Sequence, residues 1–270
     1  MIYFPNAKIN LGLRVVEKRA DGFHNIETVF YPIDLSDVLE ILPHLSLEFK
    51  LSGLVVDGNP TDNLCMKAYH LLRCDYNLPP VYMQLHKIIP MGAGLGGGSA
   101  DAAFVLKALN NEFSLGLSDK QLMEYAARLG SDCAFFIENK PTLATGRGEI
   151  LEPVDICLKG YHLLLVKPDI HVGTAEAYAG ISPQKPATSL ADIVKQPVSE
   201  WKQHLINDFE ATIFKRYPGI ASIKKELYEM GAAYAAMSGS GSTVYALFTD
   251  KPDIGTSFKN CFVHTDMLIY

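Results

Sequence analysis

Hydrophobic and polar positions alternate along the first fifteen residues. Tyr3, Pro5, Ala7, Ile9, Leu11, Leu13 and Val15 fall on one parity, and Asn6, Lys8, Asn10 and Arg14 on the other. A period of two predicts a strand with one apolar face on the core and one polar face. The turn signal RADG at 19–22 and the run FHNIETVFYPI predict a second strand folded back on the first. Strand pattern continues from Asp37 to Gly53 and closes near a DGNP turn at 57–60.

The period then changes. Leu64, Ala68, Leu71 and Leu72 stand at helical spacing behind Asp62, a suitable N-cap. Val81, Met83 and Leu85 predict a strand stopped by Pro90, after which a glycine-rich loop leads into a helix from about Ser99. Ser118 and Gln121 have capping-box spacing at the head of a further helix, which Gly130 ends. SDCAFFI and PTLATGRGEILEPV return to strand and turn.

A domain boundary is expected between Pro153 and Gly160. Beyond it lie a strand at YHLLLVKPDI, a loop at 182–199, a helical stretch DFEATIFKRYPGIASIKKELYEMGA and strand at AAYAAMSGSGSTVYALF. The pattern describes an α+β fold in two halves, 1–155 and 156–270.

Composition narrows the class of function. In 270 residues, 48% apolar and 20% charged, there is material for a globular core. A net charge of −6 argues against nucleic acid as the main partner, though it leaves room for a local basic pocket. Cys65, Cys74, Cys133, Cys157 and Cys261 are odd in number, scattered and without a CxxC pair. They suggest buried free thiols in a reducing cytosol rather than a disulfide framework or zinc site. The N-terminus lacks a signal-peptide pattern and no run of 18 apolar residues occurs, so a cytoplasmic location away from membranes is expected. No feature points to an obligate protein partner.

The stretch PMGAGLGGGSADAA concentrates Gly92, Gly94, Gly96, Gly97 and Gly98 ahead of an alanine-rich helix. Gly92, Gly94 and Gly97 satisfy G-x-G-x-x-G, but a second helix stands where a dinucleotide fold needs its second strand. No Gly-Lys-Ser/Thr closes a P-loop. What survives is a glycine turn opening a helix, where free N–H groups and the helix dipole favour a phosphate; a mobile surface loop is the bland alternative.

The segment from Pro90 through Met91, Gly92, Ala93, Gly94, Leu95, Gly96, Gly97, Gly98 and Ser99 to Ala100 resembles the second motif of the GHMP kinases. PNAKINLGLRV at 5–15 resembles their first motif and MSGSGSTVYALF at 237–248 their third. LGSDCAFFI, ATGRGE and NDFE follow in the order of the branch whose substrate is a cytidyl-bearing alcohol, 4-diphosphocytidyl-2-C-methyl-D-erythritol. The resemblance implies an ATP-dependent kinase with an N-terminal ATP-binding lobe and a C-terminal ferredoxin-like lobe, with substrates in the cleft between.

It also implies roles for single residues. Asp132, by itself as readily an N-cap, becomes the base that takes the hydroxyl proton. Lys8, by itself a solvated strand lysine, pairs with Asp132 and stabilises the alkoxide. Asn10, two residues on and about 7 Å away on the same face, hydrogen-bonds substrate. Phe23 and His24, otherwise a core aromatic and a surface imidazole, become the stacking and base-reading groups for cytosine, with Thr174 and Tyr178 opposite. The family often has tyrosine where Phe23 stands, so any phenol contact is absent.

Ser238, Gly239, Ser240 and Gly241 read as a linker in isolation and as a tight turn near the site between buried strands. Asn63 is implied at adenine. Mg²⁺ accompanies ATP, with Ser99 as its only suggested protein ligand, because glycines 97 and 98 replace serines of other branches. The alternatives are a GHMP kinase for a smaller alcohol, a nucleotide-binding regulatory module without catalysis, and an oxidoreductase. The missing second strand disfavours the last.

Overall fold

The computed structural model describes residues 1–55, 59 and 62–269. The expected DGNP turn lies outside the described residues except for Asn59. Two short and long pieces open the chain, β1 (Ile2–Tyr3) and β2 (Asn6–Lys18), followed by β3 (His24–Ser36), β4 (Val38–Pro43) and β5 (Glu48–Gly53). Helix α1 (Leu64–Tyr76), strand β6 (Val81–Lys87), helices α2 (Gly97–Glu112), α3 (Asp119–Leu129) and α4 (Phe135–Glu138), and strands β7 (Thr142–Thr145) and β8 (Ile150–Pro153) come next. The remainder holds β9 (His162–Pro168), α5 (Thr174–Tyr178), α6 (Leu190–Ile193), α7 (Trp201–His204), α8 (Phe209–Arg216), α9 (Pro218–Glu229), β10 (Tyr234–Met237), β11 (Val244–Phe248) and β12 (Cys261–Met267).

These elements form two compact units that are discontinuous in sequence. One comprises 1–8, 35–91 and 96–140; the other comprises 9–34, 92–95 and 141–270. In the first unit, β1-β4-β6-β5 make a sheet in which β5 runs parallel to β6 and the other pairs are antiparallel. Helices α1, α2 and α3 pack on one another, with buried Ala68, Leu72, Ala102, Ala103, Leu106 and Ala126 allowing close approach. In the second unit, strand order β10-β11-β9-β12 is an antiparallel four-stranded sheet covered by α8 and α9. That order, read from β12, is the 4-1-3-2 pattern of a ferredoxin-like sheet. Its second crossover runs as turns at 249–260 instead of a helix.

The N-terminal strand departs from its expected one-sided burial. Every residue of β2 from Asn6 to Leu13 is buried, with Lys8 at 3% and Asn10 at 2% exposure, so the polar face is enclosed and hydrogen-bonded rather than wetted. Asn63, not Asp62, caps α1, its Oδ1 accepting the Cys65 N–H at 2.9 Å. Asn and Asp cap equally well, so residue type alone could not choose between neighbours. The Ser118–Gln121 capping box heads α3 as its spacing requires. Gly130 ends α3 in extended backbone, φ 177°, rather than in the left-handed form.

SDCAFFI is turn and helix, not strand. A short apolar run that is buried throughout has no face to betray its period, and Asn139 ends α4 in the left-handed region. Helix α6 breaks the loop expected at 182–199. All five cysteines are free; Cys65 and Cys133 are buried, whereas Cys74 and Cys157 are exposed. Among the described residues no helix is long and apolar enough to cross a membrane.

Candidate active site

Lys8 and Asp132 meet within the first unit. The turn after α3 carries Asp132 to a position where its Oδ2 lies 3.4 Å from Lys8 Nζ, the lysine side chain buried and the aspartate about one-third exposed. Burial pushes the Lys8 ammonium below its ordinary value, and the adjacent carboxylate opposes that shift. A reciprocal amide pair fixes the frame: Asn6 Nδ2 donates to Asn139 Oδ1 at 3.2 Å and Asn139 Nδ2 to Asn6 Oδ1 at 2.6 Å. This ties the start of β2 to the end of α4, and no sequence motif announces it.

The glycine loop is built against these groups. Gly96, left-handed at φ 72°, caps α2, and a Cβ there would lie 2.9 Å from Phe136 Cζ and 3.1 Å from Lys8 Cε. The lysine stem thus runs directly under the turn. The helix opens at Gly97, two residues before Ser99, where the first N–H groups have no intrahelical acceptor. Pro90 and Ala100 are buried and Met91 is exposed. Ser99 hydrogen-bonds the Cys133 thiol, which burial pushes up to about 11. Asn63, expected at adenine, spends its side-chain oxygen on capping α1.

Within the second unit, Gly94 touches the SGSGS turn. A Cβ on Gly94 would fall 2.0 Å from the Ser238 carbonyl oxygen, and the Ser238 hydroxyl donates to the Gly94 carbonyl at 2.8 Å. This turn joins the antiparallel strands β10 and β11, so it is a hairpin rather than a linker, with Gly239 and Gly241 left-handed. Asn10 is held by the same cluster. Its Nδ2 donates to Thr28 Oγ1 at 2.9 Å, and its N–H donates to Ser238 Oγ at 3.2 Å. The Ser238 hydroxyl also donates to Asn10 Oδ1 at 3.4 Å, so the side chain implied at substrate touches the hairpin as well.

The NDFE segment clamps that hairpin from beneath. Asn207 Nδ2 donates to the carbonyls of Met237 at 2.7 Å and Gly239 at 2.8 Å, Asp208 accepts the Val15 N–H, and Glu210 accepts the Met237 N–H. The sequence marks NDFE only as a motif; the roles are evident once β10 is in place.

The aromatic residues also lie in the second unit. His24 stacks on Tyr178 with centroids 4.8 Å apart and planes 15° apart, so one face of Tyr178 is covered by the imidazole. Its edge meets Phe209 at 4.8 Å. Phe23 is 56% exposed, with the Arg147 guanidinium 5.4 Å from its centroid. Arg147 belongs to ATGRGE, whose turn is closed by Glu149 accepting the Arg147 N–H. Thr174 is exposed at the start of α5.

Sequence reasoning passes over one more charged group. Asp37, Lys87 and Asp101 form a fully buried bridge below the head of α2. Asp101 sits inside the SADAA run, whose small residues draw attention away from it.

Comparison with known proteins accords with this arrangement. The family description "GHMP kinases N terminal domain" matches residues 63–140, and "GHMP kinases C terminal" matches 190–256. The chain is 59% identical over 258 residues to a 4-diphosphocytidyl-2-C-methyl-D-erythritol kinase of Bacteroides fragilis, covering 94% of each chain. It is 52% identical over 270 residues to one from Parabacteroides distasonis, covering 100% of this chain and 98% of that one. The crystal structure of a 4-(cytidine 5'-diphospho)-2C-methyl-D-erythritol kinase superposes with a TM-score of 0.80 at 31% identity, covering 92% of this chain and 90% of that one. With its loop, its buried lysine paired with Asp132 and this similarity along nearly its whole length, the chain belongs to the GHMP kinases, in the 4-diphosphocytidyl-2-C-methyl-D-erythritol kinase family.

Proposed function

We propose that the chain transfers the terminal phosphoryl group of ATP to the 2-hydroxyl of 4-diphosphocytidyl-2-C-methyl-D-erythritol, a step of non-mevalonate isoprenoid precursor synthesis in the cytoplasm. The observation that carries the reading is the 3.4 Å pair of buried Lys8 and accessible Asp132 beside the glycine-headed helix. Asp132 accepts the hydroxyl proton as the substrate oxygen attacks the γ-phosphorus. The bond to the β-phosphate bridging oxygen breaks and ADP leaves. Lys8, desolvated and next to the carboxylate, offsets the charge that develops on the attacking oxygen.

Residues 90–100 hold the triphosphate through backbone N–H groups at the head of α2, with Ser238 to Gly241 bracing the loop. Phe23, His24, Thr174 and Tyr178 receive the cytidine. Asn10, whose backbone N–H also holds the hairpin at Ser238, hydrogen-bonds the substrate, and Asn63 borders the adenine. The sequence halves 1–155 and 156–270 serve as the N- and C-terminal kinase domains.

Magnesium suits this donor set. Among the described residues no group of three or more His, Cys, Asp or Glu is arranged to hold a metal. Mg²⁺ asks little of a protein, binding through one or two side-chain oxygens while phosphates and water fill its shell. The Ser99 hydroxyl is the oxygen that would hold it, and the ion supplies neutralisation of phosphate charge.

The test is ADP release from ATP with the cytidyl alcohol, run beside mevalonate, homoserine and galactose. Turnover is expected with the cytidyl alcohol alone. Preference for one of the smaller alcohols would replace this substrate with another of the superfamily.

A further inference from the structure

The segment between β9 and α5 carries a side chain that neither the proton transfer nor the cytidine residues use. Ile170 packs against the apolar core of the second unit and Val172 is buried within it, so His171 between them is turned outward and exposed. The backbone is fixed at that point. The Ser242 hydroxyl donates to the Ile170 carbonyl at 2.5 Å, and the Ile170 N–H donates to the Pro168 carbonyl at 2.7 Å. The hairpin that braces the glycine loop therefore also holds the chain that bears His171.

The imidazole sits on the opening of that loop. A Cβ on Gly92 would stand 2.8 Å from both His171 Cε1 and Nδ1, so the ring fills the room that any side chain at 92 would need. At the next two residues the carbonyls are occupied: that of Ala93 accepts the Thr243 N–H at 3.3 Å, and that of Gly94 accepts the Ser238 hydroxyl at 2.8 Å. The hairpin thus takes up oxygens that would otherwise repel an anion. Among the described residues neither ring nitrogen of His171 has a hydrogen-bond partner. An imidazole carries at least one N–H whichever tautomer it adopts. An exposed, unpartnered donor seated on this backbone matches the oxygens of a phosphate.

We propose that His171 is a phosphate-binding residue, donating an imidazole N–H to the phosphate chain of a nucleotide held at the start of the glycine loop. Two such chains take part in the reaction. One is that of ATP. The other is the diphosphate of the alcohol, whose cytidine is assigned to Thr174 and Tyr178, further along the same segment. The inference rests on the reading of residues 90–100 as the phosphate loop. A hydrogen bond to a charged acceptor changes an affinity by about tenfold or more.

Calorimetric titration measures the phosphate share of affinity as the ratio of the Kd of a nucleoside to that of its diphosphate. The two pairs are cytidine with CDP and adenosine with ADP, in magnesium buffer. His171→Phe keeps a flat ring against Gly92 and removes the donor, whereas His171→Gln keeps a donor. In His171→Phe at least one ratio is expected to fall about tenfold while the nucleosides bind as to the wild type, and His171→Gln should retain part of it. A fall with CDP assigns the imidazole to the diphosphate of the alcohol; a fall with ADP assigns it to ATP. In the wild-type chain the same diphosphate should slow carbethoxylation of His171 by diethyl pyrocarbonate, read by peptide mass spectrometry, and its nucleoside should not.

Unchanged ratios for both pairs in folded His171→Phe overturn the proposal, since packing on Gly92 then accounts for the ring. Equal modification of His171 with and without either diphosphate also overturns it, and that result needs no variant. A wild-type chain that binds neither ADP nor CDP would overturn the phosphate-loop reading, and this proposal with it.

Discussion

Gly98→Ala separates a glycine demanded by ligand from glycines demanded by the fold. Gly98 is the second residue of α2, and its φ lies outside the left-handed region. A Cβ there would meet nothing nearer than Leu64 Cδ1 at 4.0 Å, which is ordinary contact. The protein therefore has room for alanine. Alanine is preferred over glycine by about 1 kcal/mol in a helix interior and by roughly half that in a first turn. The ligand-free variant should gain about 0.5 kcal/mol, raising Tm by about 1–2 °C for a chain of this size.

Nucleotide should register the opposite sign. A triphosphate packed against the loop backbone, beyond merely accepting from its N–H groups, takes the open space that a Gly98 methyl group would enter. Displacement of the phosphate by about 1 Å can cost on the order of 10²-fold in rate, so a rise of tenfold or more in KM for ATP is expected. Thermal unfolding without ligand and steady-state kinetics at saturating alcohol measure the two effects separately. An unchanged KM for ATP in a folded variant would refute the claim that phosphate approaches Gly98. Destabilisation by more than about 1 kcal/mol would refute the claim of room.

Gly94→Ala should behave in the reverse manner, because φ is +76° and its Cβ would strike the Ser238 carbonyl at 2.0 Å. A loss of about 3 kcal/mol in urea unfolding is expected from left-handed strain plus the broken Ser238 hydrogen bond. Asp132→Asn should lower kcat about 10²–10⁴-fold while ATP still binds in a fluorescence titration; retained turnover would mean that another group takes the proton. Because burial lowers the Lys8 ammonium from the ordinary 10.5, kcat/KM should fall on an alkaline limb below that pH as the lysine loses its proton. Lys8→Arg should move that limb upward, which a pH profile checks. Phe23→Ala should raise KM for the cytidyl alcohol about tenfold with KM for ATP unchanged, corresponding to a lost stacking contact of roughly 1–3 kcal/mol.

The sequence was most informative where one residue type serves one local demand. The Ser118–Gln121 box, the Pro90 stop and the hairpin around SGSGS are visible because capping, ring closure and left-handed turns select few side chains. It was least informative where burial is complete. The polar residues of β2 look solvated in a linear pattern, since alternation shows that two faces differ and not that the second is covered. The SDCAFFI run offered no period at all. Among site residues, Lys8 and Asp132 became a pair only through resemblance, being 124 positions apart with no local chemistry to join them. Asp37, Lys87 and Asp101 were hidden for a related reason: a buried ion bridge requires partners from three elements, and no single window of sequence contains them.

The distribution of thiols has a practical consequence. Cys74 belongs to one compact unit and Cys157 to the other, and both are exposed, whereas Cys65 and Cys133 are enclosed and Cys261 is half-buried. The native chain thus offers one readily labelled sulfur on each unit. A donor and acceptor dye on that pair, with Cys261→Ser to remove the partly accessible third, lets energy transfer test whether the separation of the two labels changes during turnover, with no cysteine added.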